Sequence, residues 1–127
     1  MTQGATRRVV VALHDEAERQ AVTELLQEMA LEVHQAYSSQ QVIVLLEDHR
    51  PCDLLIFDTH FDHNPWPVIN ALREIAELSN IPKMILTDNR EVAWVGMIQV
   101  ERPFSMMRLR QVLMEFYQTQ YNHDLPA

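Results

Sequence analysis

The 127-residue chain has only two glycines, Gly4 and Gly96. That scarcity excludes the glycine-rich turns that cradle phosphates in P-loop and dinucleotide-binding proteins. A single cysteine, Cys52, excludes an internal disulfide and any cysteine-based zinc site. It sits against an apolar run and reads as a small core residue in a reducing compartment. Positive charge is also short. Ten Lys and Arg stand against eighteen Asp and Glu, a formal net charge of −8. Such a surface repels a phosphate backbone, so direct nucleic-acid binding is not expected, and neither is attraction to an anionic membrane. No apolar run is long enough to span a bilayer. The N-terminal MTQGATRR is not backed by the apolar core of a signal peptide. The expectation is a soluble, cytoplasmic protein.

What the chain does have is an ordinary apolar fraction, 47%, spread over a length that suits one domain, residues 1–127. A chain of this size can bury a core without disulfides or a structural metal. No internal repeat, low-complexity segment or linker interrupts it. Instead, short β-branched runs alternate with amphipathic stretches. Arg8 to Leu13 (RVVVAL) reads as a strand. Glu16 to Leu31 reads as a helix with Ala21, Val22, Leu25, Leu26 and Met29 on one face, capped by Asp15 with Glu18 in the capping-box position. A weaker strand covers Glu32 to Tyr37. Ser39 then caps a helix that Pro51 ends.

Leu54 to Phe57 is the third strand. A helix opens near Pro65 and Pro67 and carries Val68, Ile69, Leu72, Ile75 and Leu78. Pro82 to Leu86 is the fourth strand, Asn89 to Val95 a short helix that Gly96 ends, and Met97 to Val100 the fifth strand. Ser105 caps a last helix, and the polar tail from Gln118 is expected to fray. Five strands alternating with five helices predict an α/β fold, a doubly wound parallel sheet covered on both faces in three layers.

In such a sheet, sites form beyond the carboxyl ends of the strands. The polar residues that end the apolar runs are His14, Asp15 and Glu16, then Asp58, then Thr87 and Asp88, then Glu101 and Arg102. Clustered carboxylates stay ionised only with a cation among them, and Mg2+ is the natural partner for such oxygen ligands. Thr87 offers a hydroxyl, and Arg102 a fixed fork for anionic oxygens. Together these groups suit the formation of an acyl phosphate on Asp58. Each also has a plainer reading. Asp58 is a strand-end Asp capping the next turn, Asp15 caps a helix, Glu16 is a solvated first-turn acid, Thr87 is a β-former, and Arg102 pairs with Glu101 at the surface.

The same residues carry a resemblance to the receiver domain of response regulators in two-component signalling, over about residues 7 to 117. VVVALHDEAER looks like that family's first strand and acidic cluster. DLLIFDTHF looks like the strand that ends in the phospho-accepting Asp, KMILTD like the strand that ends in its Thr or Ser, and VERPF like its Lys-Pro-Phe segment. The resemblance implies strand order 2-1-3-4-5. It implies a phospho-acceptor at Asp58, fed by a histidine kinase, a phosphotransfer protein or a small phosphodonor. It implies Mg2+ held by Asp15, Asp58 and the backbone carbonyl of His60, with Glu16 as a further candidate. Thr87 and Arg102 would contact the phosphoryl group, and a cis peptide before Pro103 is expected. The output passes to a downstream protein partner, with homodimerisation as one route, and the chain is not expected to be an enzyme.

The departures from the pattern are specific. His14 stands at the first acidic position. Arg102 replaces Lys, with a different length, shape and hydration. The interval from Thr87 to Arg102 is short, which shortens the fourth helix. Gln99 stands where an aromatic is usual, and Phe61-Asp62 replaces a Met-Pro pair. These changes support an alternative, a pseudo-receiver that acts as a phosphorylation-independent interaction module. A small hydrolase using the acidic rim is a third reading. His60-Phe61-Asp62-His63 only faintly echoes a histidine metal motif, because the preceding His is missing. Trp66 and Trp94 are read as packing residues, and His34, His49 and His123 as solvated.

Overall fold

A computed structural model describes residues 7–48, 52–61, 70, 74, 80–88 and 96–121. The β-branched and aliphatic runs form the sheet, as their stiff side chains favour. The strands are β1 (Arg8–Ala12), β2 (Glu32–Gln35), β3 (Leu54–Asp58), β4 (Lys83–Thr87) and β5 (Ile98–Glu101). They run parallel in the order β2-β1-β3-β4-β5. The register sets Ala12 beside Phe57, Asp58 beside Leu86, and Thr87 beside Glu101.

Alternate residues of the central strands supply two cores, as the twofold period of a strand requires. Val9, Val11, Ile56 and Leu86 pack on one face against Leu26 of helix α1 (Glu16–Glu28) and Leu113 and Tyr117 of the C-terminal helix (Met106–Tyr121). Val10, Ala12, Leu55 and Ile85 pack on the other against Val42 and Leu46 of helix α2 (Ser39–Leu46). Helices on both faces make the three-layer, doubly wound α/β fold. β1 and β3 are buried along their whole length. Each fully buried aliphatic side chain contributes about 1.5–3 kcal/mol of transfer free energy.

Several boundaries differ from the sequence expectation. β3 and β4 each run one residue further, so Asp58 and Thr87 end their strands rather than follow them. β1 and β2 are shorter than expected, and β5 runs on to Glu101. α1 stops at Glu28 rather than Leu31. Ala30 there takes a left-handed φ of 65°, its N–H bonds the Gln27 carbonyl at 3.0 Å, and the Leu31 N–H bonds the Leu26 carbonyl at 3.1 Å. That is a Schellman-type stop with alanine in the place usually held by glycine.

The cap of α2 is Ser38, whose Oγ accepts from the Gln41 N–H at 3.2 Å, while Ser39 is buried inside the first turn. α2 ends at Leu46, ahead of Pro51, so the proline is not its stop. Ser105 does cap the C-terminal helix, accepting from the Arg108 N–H at 3.0 Å. That backbone stays helical to Tyr121, past the expected fraying point.

The expected helix after Pro67 lies outside the described residues, apart from Asn70 and Glu74, which are helical and exposed. The shortened fourth helix, Trp66, Trp94, His49, His63 and His123 also lie outside them. Gly96 enters β5 with a φ of 79°, a conformation that favours glycine. Among the described residues, no helix is long and apolar enough to cross a membrane.

Candidate functional site

Because β1, β3, β4 and β5 run the same way, their carboxyl ends form one rim, and Asp58 lies in it. Its side chain is only 1% exposed. A buried carboxylate needs hydrogen-bond donors. Asp58 Oδ2 accepts from the His14 N–H at 3.1 Å and from Arg102 Nη2 at 2.9 Å. Oδ1 accepts from the His60 N–H at 3.2 Å. Those three donors take three of the roughly four acceptor positions of a carboxylate. Among the described residues, the remaining position is on Oδ1.

Arg102 follows β5 and reaches across the end of β4 to meet Asp58. Its N–H donates to the Thr87 carbonyl at 2.9 Å, and the Arg102–Pro103 peptide is cis. Its guanidinium is heavily committed. Nε donates to Glu18 Oε2 at 3.0 Å, Nη2 to Glu18 Oε1 at 2.5 Å, and Nη1 to the Leu86 carbonyl at 3.1 Å. Asp88 Oδ1 stands 3.6 Å from Nη1. The hydrogen bonds that Arg102 donates to Glu18, reinforced by the charges of Glu18 and Asp58, raise the Arg102 pKa above its ordinary value against the opposing effect of burial. Arg102 therefore does not pair with Glu101, the plainer sequence reading.

The other expected residues fall as follows. Thr87 ends β4 at the rim and is fully buried. Asp15 is exposed and caps α1, its Oδ2 accepting from the Glu18 N–H at 2.7 Å. It directly follows His14, whose amide holds Asp58. Glu16 is exposed in the first turn of α1 and is not the acid that enters the site. The His60 ring is exposed and lies 2.9 Å from Asp88 Oδ2. The structure thus brings Asp58, Arg102, His14, His60 and Asp88 into one network, with Thr87 beside it.

Glu18 is the member that sequence reading missed. Its spacing from Asp15 suits the reciprocal half of a capping box, but both of its carboxylate oxygens turn to Arg102, 84 residues away in sequence. The one available signal was its position in the first turn of α1, next to the rim-forming β1 end.

Among the described residues, no group of three or more His, Cys, Asp or Glu is disposed to hold a metal ion. Mg2+, however, keeps several waters and needs only one or two carboxylates. The open position on Asp58 Oδ1, the exposed Asp15 carboxylate and the His60 carbonyl are all oxygen donors, and their chemistry suits that ion.

No protein-family model matches the sequence. No curated protein matches it either. Solved structures do. The chemotaxis response regulator CheY4 of Vibrio cholerae superimposes with a TM-score of 0.75 at 21% identity, covering 87% of this chain and 98% of that one. The signal receiver domain of an HD domain-containing protein from Pseudomonas fluorescens gives 0.77 at 16% identity, covering 94% and 100%. The receiver domain of the sensor histidine kinase PA1611 from Pseudomonas aeruginosa, with magnesium coordinated in its active-site cleft, gives 0.75 at 16% identity, covering 87% and 97%. The chain has the receiver-domain fold, with the flavodoxin-like strand order.

Proposed function

We propose that the chain is a receiver module of two-component signalling in which Asp58 accepts a phosphoryl group. The donor is a phosphohistidine of a histidine kinase or phosphotransfer protein, or a small phosphodonor. The observation that carries this reading is the buried Asp58 carboxylate, held by Arg102 at 2.9 Å on the rim shared by the parallel strands. Asp58 Oδ1, with its open position, attacks phosphorus. The bond from phosphorus to the donor atom breaks as the new P–O bond forms, giving a mixed anhydride. The Thr87 hydroxyl and the Arg102 guanidinium are the groups that receive the phosphoryl oxygens.

Asp15, Asp58 and the His60 carbonyl would hold Mg2+, with Glu16 outside them. When bound, that ion offsets the charge of carboxylate and phosphoryl group. The magnesium in the cleft of the PA1611 receiver supports the assignment. The chain serves as a phosphoryl acceptor rather than an enzyme, acts among soluble partners in the cytoplasm, and passes its state to a downstream protein.

Intact mass after incubation with acetyl phosphate and Mg2+ tests the proposal. A gain of one phosphoryl group in the native chain, absent from Asp58→Asn, is the expected result. An unchanged native mass rejects it. A second reading, a phosphorylation-independent interaction module, draws support from the commitment of the Arg102 guanidinium to Glu18, the Leu86 carbonyl and Asp58. Partner binding or homodimerisation that survives Asp58→Ala would favour it.

A further inference from the structure

We infer that Glu18 is a positioning residue, an internal anion that competes with any oxyanion at Asp58 for the guanidinium of Arg102. The geometry is that of a fork taken by a carboxylate. Nε and Nη2 of arginine form the edge that matches two oxygens of a carboxylate or a phosphate. Glu18 Oε2 and Oε1 take both, at 3.0 and 2.5 Å. Nη1 is directed to the Leu86 carbonyl. Asp58 receives only Nη2, which Glu18 shares. Neither acid is freely solvated, since the Glu18 side chain is 18% exposed and that of Asp58 1%. Their competition for one cation is therefore weakly screened.

A phosphoryl group on Asp58 adds charge and three acceptor oxygens. It recruits the fork of Arg102 only as Glu18 gives it up, and its own charge repels Glu18 as it does so. Glu18 belongs to the first turn of α1, and Arg102 follows β5. The exchange therefore unties α1 from the β5 end. In this chain the state of Asp58 is felt at α1. The inference rests on the receiver reading for the identity of the physiological oxyanion, but the competition itself is measurable without phosphorylation.

The test follows the Arg102 Nε–H by 15N NMR, assigned by its loss in Arg102→Gln, while inorganic phosphate is titrated into the Asp58→Asn chain. The neutral amide leaves Glu18 as the rival anion. Adding Glu18→Gln should tighten phosphate binding about fivefold or more, the usual scale of one coupling. The Nε–H resonance of the double variant should also shift before any phosphate is added, a signature that mere support of the fold would not give. Equal phosphate affinity in the two chains, or no phosphate binding by the double variant, overturns the inference. Intact mass of the native chain decides the receiver reading separately. A native chain that takes no phosphoryl group leaves the competition standing if the titrations differ.

Discussion

Replacing Arg102 by methionine keeps most of the aliphatic stem and removes the guanidinium. The expected cost is about 2–3 kcal/mol at neutral pH. A fully buried ion pair that loses one partner costs about 3–5 kcal/mol, and a fully exposed pair less than about 1 kcal/mol. The Asp58–Arg102 pair lies between them. Asp58 is buried but Arg102 is 19% exposed, and Asp58 keeps the amides of His14 and His60 as donors. The removed bonds to Asp58 and Glu18 are charge-assisted, each of the class that contributes about 1.5–3 kcal/mol when buried.

For a domain of this size such a loss lowers Tm by about 10 °C. Urea unfolding with an unchanged m-value would give the number directly. Adding Glu18→Gln to Arg102→Met should restore about 0.5–1 kcal/mol, because it removes the unpaired acid now facing Asp58. A single-variant loss below about 0.5 kcal/mol would show that the two backbone amides suffice for Asp58. A double variant less stable than the single would show that Glu18 stabilises the site by packing alone. Either result would refute the electrostatic reasoning.

Two further expectations separate overlapping roles. Asp15→Asn keeps a capping oxygen for the Glu18 N–H and should change stability by less than about 0.5 kcal/mol, while Asp15→Ala should cost about 1 kcal/mol. Both should weaken Mg2+ binding, measured by isothermal titration; equal affinity in Asp15→Asn and the native chain would remove Asp15 from the metal site. Ala30→Gly should stabilise the chain by roughly 0.5–1 kcal/mol in urea unfolding, because glycine takes a φ of 65° without a Cβ clash. A destabilised Ala30→Gly chain would mean that the alanine methyl contributes more packing than its conformation costs.

The sheet is largely legible in the sequence. RVVVA, LLIFD and KMILT are continuous apolar runs because their strands are covered on both faces, and that burial marks them apart from the helices around them. The alternation of runs made the strands parallel, and parallel strands collect their final residues on one edge. That is why Asp58, Thr87 and Arg102 could be grouped although they are scattered along the chain. The ends of elements were less legible. α1 stops three residues early because of a left-handed alanine, which no local preference announces. Ser38 and Ser39 are equally good caps until packing buries one of them.

The sequence by itself determined which residues reach the rim, because strand direction follows from burial and burial is written in composition. Only the tertiary structure decided how those residues share their charges. Whether Arg102 answers to Glu101, Asp58 or Glu18 depends on a reach of a few ångströms over the end of β4. Glu18 was fit for either of two tasks, closing its own helix cap or clasping a cation 84 residues away. The neighbouring solvent can serve the cap, whereas the half-buried guanidinium must find its anions inside the protein, and so the distant partner prevails.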